Sequence, residues 1–229
     1  MNLEAKLSEV RQEYLSRMTR GDISLLQEVE QYITANDGKM LRPYLTLLAA
    51  ATKGEEVFQS RRTLLLATCV EMLHNVSLLH DDVVDHATTR RSRPSVNHHW
   101  GNGVAVLVGD YLLAQTMQLI NEIDDRDAAK RINDTVIAMV NSELLNQQVL
   151  AGQPLTRDVY LSIIDGKTAC LFATAAALGN PEYEQFGLHY GRLFQLRDDI
   201  ADHEETAFTA DLIAAEENLL QQLPQLPMQ

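Results

Sequence analysis

Cysteine is nearly missing from this chain of 229 residues, which contains two, Cys69 and Cys170. Both stand in apolar runs (TLLLATCVEML and KTACLFATAAAL). A disulfide framework is therefore excluded, and a reducing, cytoplasmic setting with two small core thiols is the expectation. Glycine and proline are sparse as well, 11 and 6, and alternation of period two is almost absent. Sheet architectures, which need frequent turns, are excluded by that scarcity. Basic residues are outnumbered, 19 against 32 acids, for a net charge of −13. So acid a chain excludes nucleic acid as a partner and disfavours a polybasic membrane anchor. No run of 18 apolar residues occurs, because Glu71, His74, Asn75, His80, Asp81 and Asp82 interrupt the most apolar stretch. Neither a signal peptide nor a membrane span is expected.

What is present is apolar periodicity of helical spacing, in a chain with 45% hydrophobic residues. Helices are predicted over roughly 3–18, 22–35, 41–53, 59–85, 95–120, 124–151, 156–178, 183–205 and 208–222. Breaks fall at sites such as Gly21, Gly38, Gly54, Ser92-Arg93-Pro94, Gly152 and Gly179-Asn180-Pro181. Linkers and repeats are lacking, so the expected architecture is all-α, one helical domain spanning 1–229. The segments 63–79, 104–114 and 169–178 are apolar nearly all round, as suits the middle of a large bundle. Polar residues within them each require a partner.

Chemistry concentrates in two places. LLHDDVVDHATTRR carries Asp81, Asp82 and Asp85, which fall within about 100° of arc on a helix. Three carboxylates that close repel one another unless a cation sits among them. FQLRDDIADHEE repeats the spacing with Asp198, Asp199 and Asp202. With 16 aspartates, one such pattern is expected by chance about 0.08 times, so two imply a multi-metal site for an anionic ligand. Hard divalent ions such as Mg²⁺ take carboxylate, phosphate and water oxygens. Cationic residues flank both clusters. Lys39 and Arg42 lie in DGKMLRP at a helix start, Arg90 and Arg91 follow the first cluster, and Lys167 stands in YLSIIDGKTACLF.

These motifs, in this order, resemble the trans-isoprenyl (polyprenyl) diphosphate synthase family from about residue 33 to 205. The run DGKMLRP is followed by EMLHNVSLLHDDVVD, RRSRP, GDYLLA, SELLN, the Lys167-Thr168 pair and FQLRDDIAD. The resemblance implies a helical bundle of the isoprenoid synthase type with a central cavity. It implies that Asp81, Asp82, Asp85, Asp198, Asp199 and Asp202 hold Mg²⁺ ions bridging an allylic prenyl diphosphate, with Arg90 and Lys167 on the same leaving group. Lys39, Arg42, His74 and Arg91 would hold the diphosphate of isopentenyl diphosphate. Thr168 and Gln195 would line the reacting centre, with Phe194 against the homoallylic chain. Val76 and Ser77, five and four residues before Asp81, would floor the product pocket. Both are small, so products longer than farnesyl are expected. Similar synthases are homodimers, and the apolar helices of 102–150 would supply that interface.

Some positions depart from the pattern. Asp37 replaces a glycine, Met40 an arginine, Ser92 a glycine, and Asn146 a glutamine. After the second aspartate motif, the segment 206–229 is expected to be a shortened, atypical tail that lacks a lysine. From residue 168 onward ten acids face two arginines, which accounts for eight of the net negative charges. A non-catalytic or regulatory partner subunit of such a synthase is the alternative. It is disfavoured because such a subunit has no use for mutually repelling carboxylates. A di-iron bundle fails for want of a second Glu-x-x-His motif, and a His-Asp phosphohydrolase leaves the second aspartate cluster without a task.

Overall fold

The computed structural model describes residues 1–35 and 38–226, so Asp37 lies outside the described residues. In chain order the helices are α1 (Leu3–Met18), α2 (Ser24–Thr34), α3 (Leu41–Ala51), α4 (Glu55–Gln59), α5 (Arg61–Val84), α6 (Val96–Trp100) and α7 (Asn102–Ile123). There follow α8 (Arg126–Leu150), α9 (Arg157–Ile164), a π turn (Asp165–Ala169), α10 (Cys170–Gly179), a 3₁₀ turn (Pro181–Tyr183), α11 (Glu184–Ala201) and α12 (Thr209–Gln222). A two-residue-per-strand hairpin, β1 (Thr89–Arg90) with β2 (Arg93–Pro94), is the extended structure among the described residues. The protein is all-α.

Contacts group the chain into two compact units, one of Met1–Tyr44 with Gln59–Asp125, the other of Leu45–Phe58 with Arg126 onward. In the first, α5 is the central rod. Ser60 caps it by accepting from the Thr63 N–H, satisfying one of the donors a helix start leaves over. Leu65, Leu66, Val70, Met72 and Leu73 are buried along it, against Val10, Tyr14 and Met18 of α1 and Ala105, Val108 and Leu112 of α7. Each such side chain contributes about 1.5–3 kcal/mol by leaving water. In the second unit α10, buried from Leu171 to Gly179, packs on α8 and α11. Tyr160, Ile164, Leu196 and Leu212 form the cluster that receives α12.

The predicted helix over 95–120 is divided. Gly101 adopts φ 91° and ψ 157°, ending α6 and starting α7; only glycine takes that conformation freely. The expected tail helix over 208–222 is observed as Thr209–Gln222.

Candidate functional site

The first unit carries its aspartate motif at the end of α5. Asp85 is the C-terminal cap and is exposed, Asp81 is partly exposed, and Asp82 is buried. Asp82 is spoken for: Nε and Nη2 of Arg90 both donate to its Oδ1, the former at 2.9 Å. What brings Arg90 back to a residue eight positions earlier is the hairpin. Its register, Arg90 opposite Arg93, leaves Arg91 and Ser92 as a two-residue loop, and both have positive φ, 51° and 62°. That is a type I′ turn. Asn97 ties it down by donating to the carbonyls of Asp82 (2.9 Å) and Ala87 (3.0 Å). The Ser95 hydroxyl also donates to Ala87 O, at 2.6 Å. Because a non-glycine residue in the left-handed region is strained by about 1 kcal/mol, Ser92→Gly is expected to raise stability by ~0.5–1 kcal/mol. A higher denaturant midpoint at unchanged slope is the measurement; a lower midpoint would show that the serine side chain contributes more than its backbone strain removes.

Around this anchor lies a cationic cradle. His74 is held neutral: burial pushes its pKa well below the usual value, and Arg42, Arg91 and Arg90 add to the effect. Arg91 lies over Gly38, where an added methyl would come within 2.6 Å of a guanidinium nitrogen. The DGKMLRP segment and the arginine pair thus meet in three dimensions. Lys39 is exposed beside them, and Met40 buries its side chain, so the departure at Met40 adds apolar packing in place of a charge. A small solvent-open pocket is lined by Asp82, Arg90, Arg91 and Arg93, with Tyr32 and Leu79. Arg93 stacks 3.9 Å over the Tyr32 ring. Val76 is buried and Ser77 half-buried on α5, the latter donating to His74 O at 2.9 Å.

The second unit repeats the arrangement of the carboxylates. Asp198 and Asp202 are exposed at the end of α11, and Asp199 is buried. Its Oδ2 accepts from the Tyr160 hydroxyl and its Oδ1 from Gln195 Nε2 at 2.7 Å. Gln195 Oε1 in turn accepts from Thr168 Oγ1 at 2.5 Å. Tyr160 is held protonated by burial and by the Asp199 carboxylate, which raise its pKa. Lys167 is exposed and Thr168 buried in the π turn. Phe194 is half-buried, tilted on Phe172 with ring centres 5.4 Å apart.

Each motif therefore fixes its middle carboxylate with protein donors and leaves the first and third, one helical turn apart, at the surface. Among the described residues no three His, Cys, Asp or Glu side chains form a ready-made metal cage. An oxygen donor set of this kind suits a hard cation that completes its shell with phosphate and water. Tyr160, Asp165 and Arg192, which take part in the hydrogen-bond network of the second unit, carry no motif in the sequence.

An all-α scaffold with an aspartate-bearing helix end in each unit, one beside an arginine cradle and the other beside a lysine turn, has the character of an isoprenoid synthase fold. The chain belongs to the polyprenyl synthetase family, whose model matches residues 23–212. It is 35% identical over 225 residues to an all-trans-nonaprenyl-diphosphate synthase of Rhodobacter capsulatus, covering 94% of this chain and 68% of that protein. A decaprenyl diphosphate synthase from the same organism superposes with a TM-score of 0.81 at 33% identity, over 87% of this chain and 64% of its own. A Caulobacter crescentus polyprenyl synthase complexed with calcium and isoprenyl diphosphate gives 0.80 at 32%, over 89% and 64%. The chain thus spans about two-thirds of the length of these relatives.

Proposed function

We propose that the protein is a Mg²⁺-dependent prenyltransferase. It condenses isopentenyl diphosphate with an allylic diphosphate to give a longer trans-polyprenyl diphosphate and releases diphosphate. The observation that carries this reading is the cradle of Arg42, Arg90 and Arg91 around neutral His74, contiguous with the Asp82 anchor. An anion is the natural occupant of such a cluster. In the reaction the allylic C–O bond breaks and its electron pair leaves with diphosphate. The double bond of isopentenyl diphosphate then attacks the allylic cation, and the departed diphosphate removes a proton. The divalent ion would supply neutralisation of the charge developing on that leaving group. Asp81 and Asp85 of the first unit would hold such an ion, and so would Asp198 and Asp202 of the second. Arg90 and Lys167 bind the leaving group; Lys39, Arg42, His74 and Arg91 hold the second substrate; Thr168 and Gln195 face the cation. No protein nucleophile is required.

Three helices, Arg61–Val84, Asn102–Ile123 and Arg157–Gly179, are long and apolar enough to cross a membrane by length and composition. The first and third bury 72% of their apolar window inside the protein, the second 33%. The apolarity of the first and third is thereby explained by packing. On α7 the side chains of Val106, Leu107 and Met117, and on α8 those of Ile137, Val140 and Leu144, are exposed. We assign them to a homodimer interface, and the molecule to the cytoplasm, where Cys69, its thiol pushed up to about 12 by burial, stays reduced.

The test is incubation with labelled isopentenyl diphosphate, Mg²⁺ and C5, C10 or C15 allylic primers, followed by product sizing. Elongation beyond C15 is expected. Tight diphosphate binding without elongation of any primer would favour a partner-subunit role. Val76→Tyr is expected to shift products to shorter chains by placing a ring one turn before Asp81. An unchanged product distribution would mean that the pocket floor lies elsewhere.

A further inference from the structure

The π turn Asp165–Ala169 is held by a pair of contacts that no motif announces. Arg192 of α11 donates from Nε to Asp165 Oδ1 at 2.5 Å and from Nη2 to Oδ2 at 2.7 Å. Three residues further along α11, Gln195 accepts from Thr168 at 2.5 Å. The two pairs are rungs of one ladder, with the same spacing on both sides, and Gly166 and Lys167 lie between the rungs on the turn. Each rung has its own brace. On Gln195 it is Asp199 with Tyr160. On Arg192 it is Glu216 of α12, which accepts from Nη1 at 3.3 Å and lies 2.5 Å from His189 Nδ1.

Two close approaches wedge the turn from other directions. A methyl on Gly166 would meet Ser142 Cβ at 2.3 Å and Ala138 O at 2.7 Å, and one on Gly191 would meet Ala169 Cα at 2.6 Å. A π turn needs such support. Its closing bond runs from the Cys170 N–H to Asp165 O, a wider ring than the α-helix makes and a rare one outside functional sites. A largely buried group of Arg192, Asp165, Glu216 and His189 is also an expensive means of joining helices, since apolar residues would do as well. The exposed Arg197–Glu217 pair joins α11 to α12 at 2.8 Å without that desolvation.

We propose that Arg192, braced by Glu216, is a positioning residue that sets the π turn and thereby Lys167 and Thr168 for the departing diphosphate. This assignment rests on the prenyltransferase reading and gives α12 a part in the site. Arg192→Lys keeps the charge and removes the two-pronged geometry. Glu216→Gln removes the brace, and Glu217→Gln, one residue away on the exposed pair, is the control.

Hydrogen exchange of the 166–169 amides is expected to accelerate about tenfold or more in Arg192→Lys, and less in Glu216→Gln. In the same variants kcat is expected to fall about 10–100-fold, with the KM for isopentenyl diphosphate within twofold. Calorimetric binding of inorganic diphosphate with Mg²⁺ is expected to weaken about tenfold. Glu217→Gln should match wild type in every measurement. Unchanged exchange and kcat in Arg192→Lys would overturn the proposal, as would a uniform fall of all parameters that tracks the folded fraction. If the wild-type protein elongates no primer, the prenyltransferase reading fails by itself. The exchange rates and diphosphate binding then still decide whether Arg192 sets the turn.

Discussion

Asp82→Ala is expected to reduce Mg²⁺-dependent elongation by ~10³-fold and to lower stability by about 1–2 kcal/mol. Both effects follow from one side chain. The Asp82 carboxylate is 4% exposed and its partner Arg90 is 40% exposed. Breaking a fully buried pair from one side costs about 3–5 kcal/mol, and the exposure of Arg90 brings that down. The larger loss is in turnover, because Arg90 belongs to the cradle around His74. Without its counter-ion the guanidinium has no fixed position, and the repulsion among three arginines goes unrelieved. Asp85→Ala separates the two effects. Asp85 is exposed, so its loss is expected to remove elongation while leaving the thermal midpoint within about 1 °C. Labelled product and thermal unfolding, measured on both variants, check this. Elongation within tenfold of wild type in Asp82→Ala would sink the assignment of the first aspartate helix.

The second large effect is expected from Gly187→Ala and Gly191→Ala. On an isolated helix either change is stabilising by about 1 kcal/mol. Here the sign reverses. A methyl at Gly187 would lie 2.5 Å from Phe172 O and 2.8 Å from Ala173 Cα, and one at Gly191 2.6 Å from Ala169 Cα. These are backbone atoms, which cannot rotate aside as a side chain does. The glycines are one turn apart on α11, so the whole helix must move off α10 and the π turn. A loss of about 2–3 kcal/mol per substitution is expected, seen as a thermal midpoint lower by about 5–10 °C. Because α11 carries Gln195, Asp198, Asp199 and Asp202, kcat is expected to fall at least ~10-fold in Gly191→Ala. A raised midpoint in either variant would refute the close approach.

Much of the helical framework was legible because its determinants are local. The apolar period and the Gly-Asn-Pro stop at 179–181 both act within a turn or two. The break at Gly101 was not. Gly101 and Gly103 sit in a run that is otherwise helical in pattern, and only the positive φ at Gly101 shows where the chain turns. The hairpin over 89–94 was hidden for a related reason. Its type I′ turn is built on Arg91-Ser92, where the glycine and asparagine that signal such turns are lacking.

The site divides along the same line. That Asp81 and Asp85, and likewise Asp198 and Asp202, share a face follows from a spacing of four residues on a helix, which the sequence by itself determines. The closeness of Arg90 to Asp82 depends on a reversal of the chain between them, and that of Tyr160 to Asp199 on packing across 39 positions. The pairing of Arg192 with Asp165 and Glu216 spans 27 and 24 positions. Side-chain neighbours on one helix are set by a fixed rise and twist, so residue order is enough to name them. Neighbours on different helices are set by how close two backbones come, and at Gly166, Gly187 and Gly191 that distance was decided by tertiary packing alone.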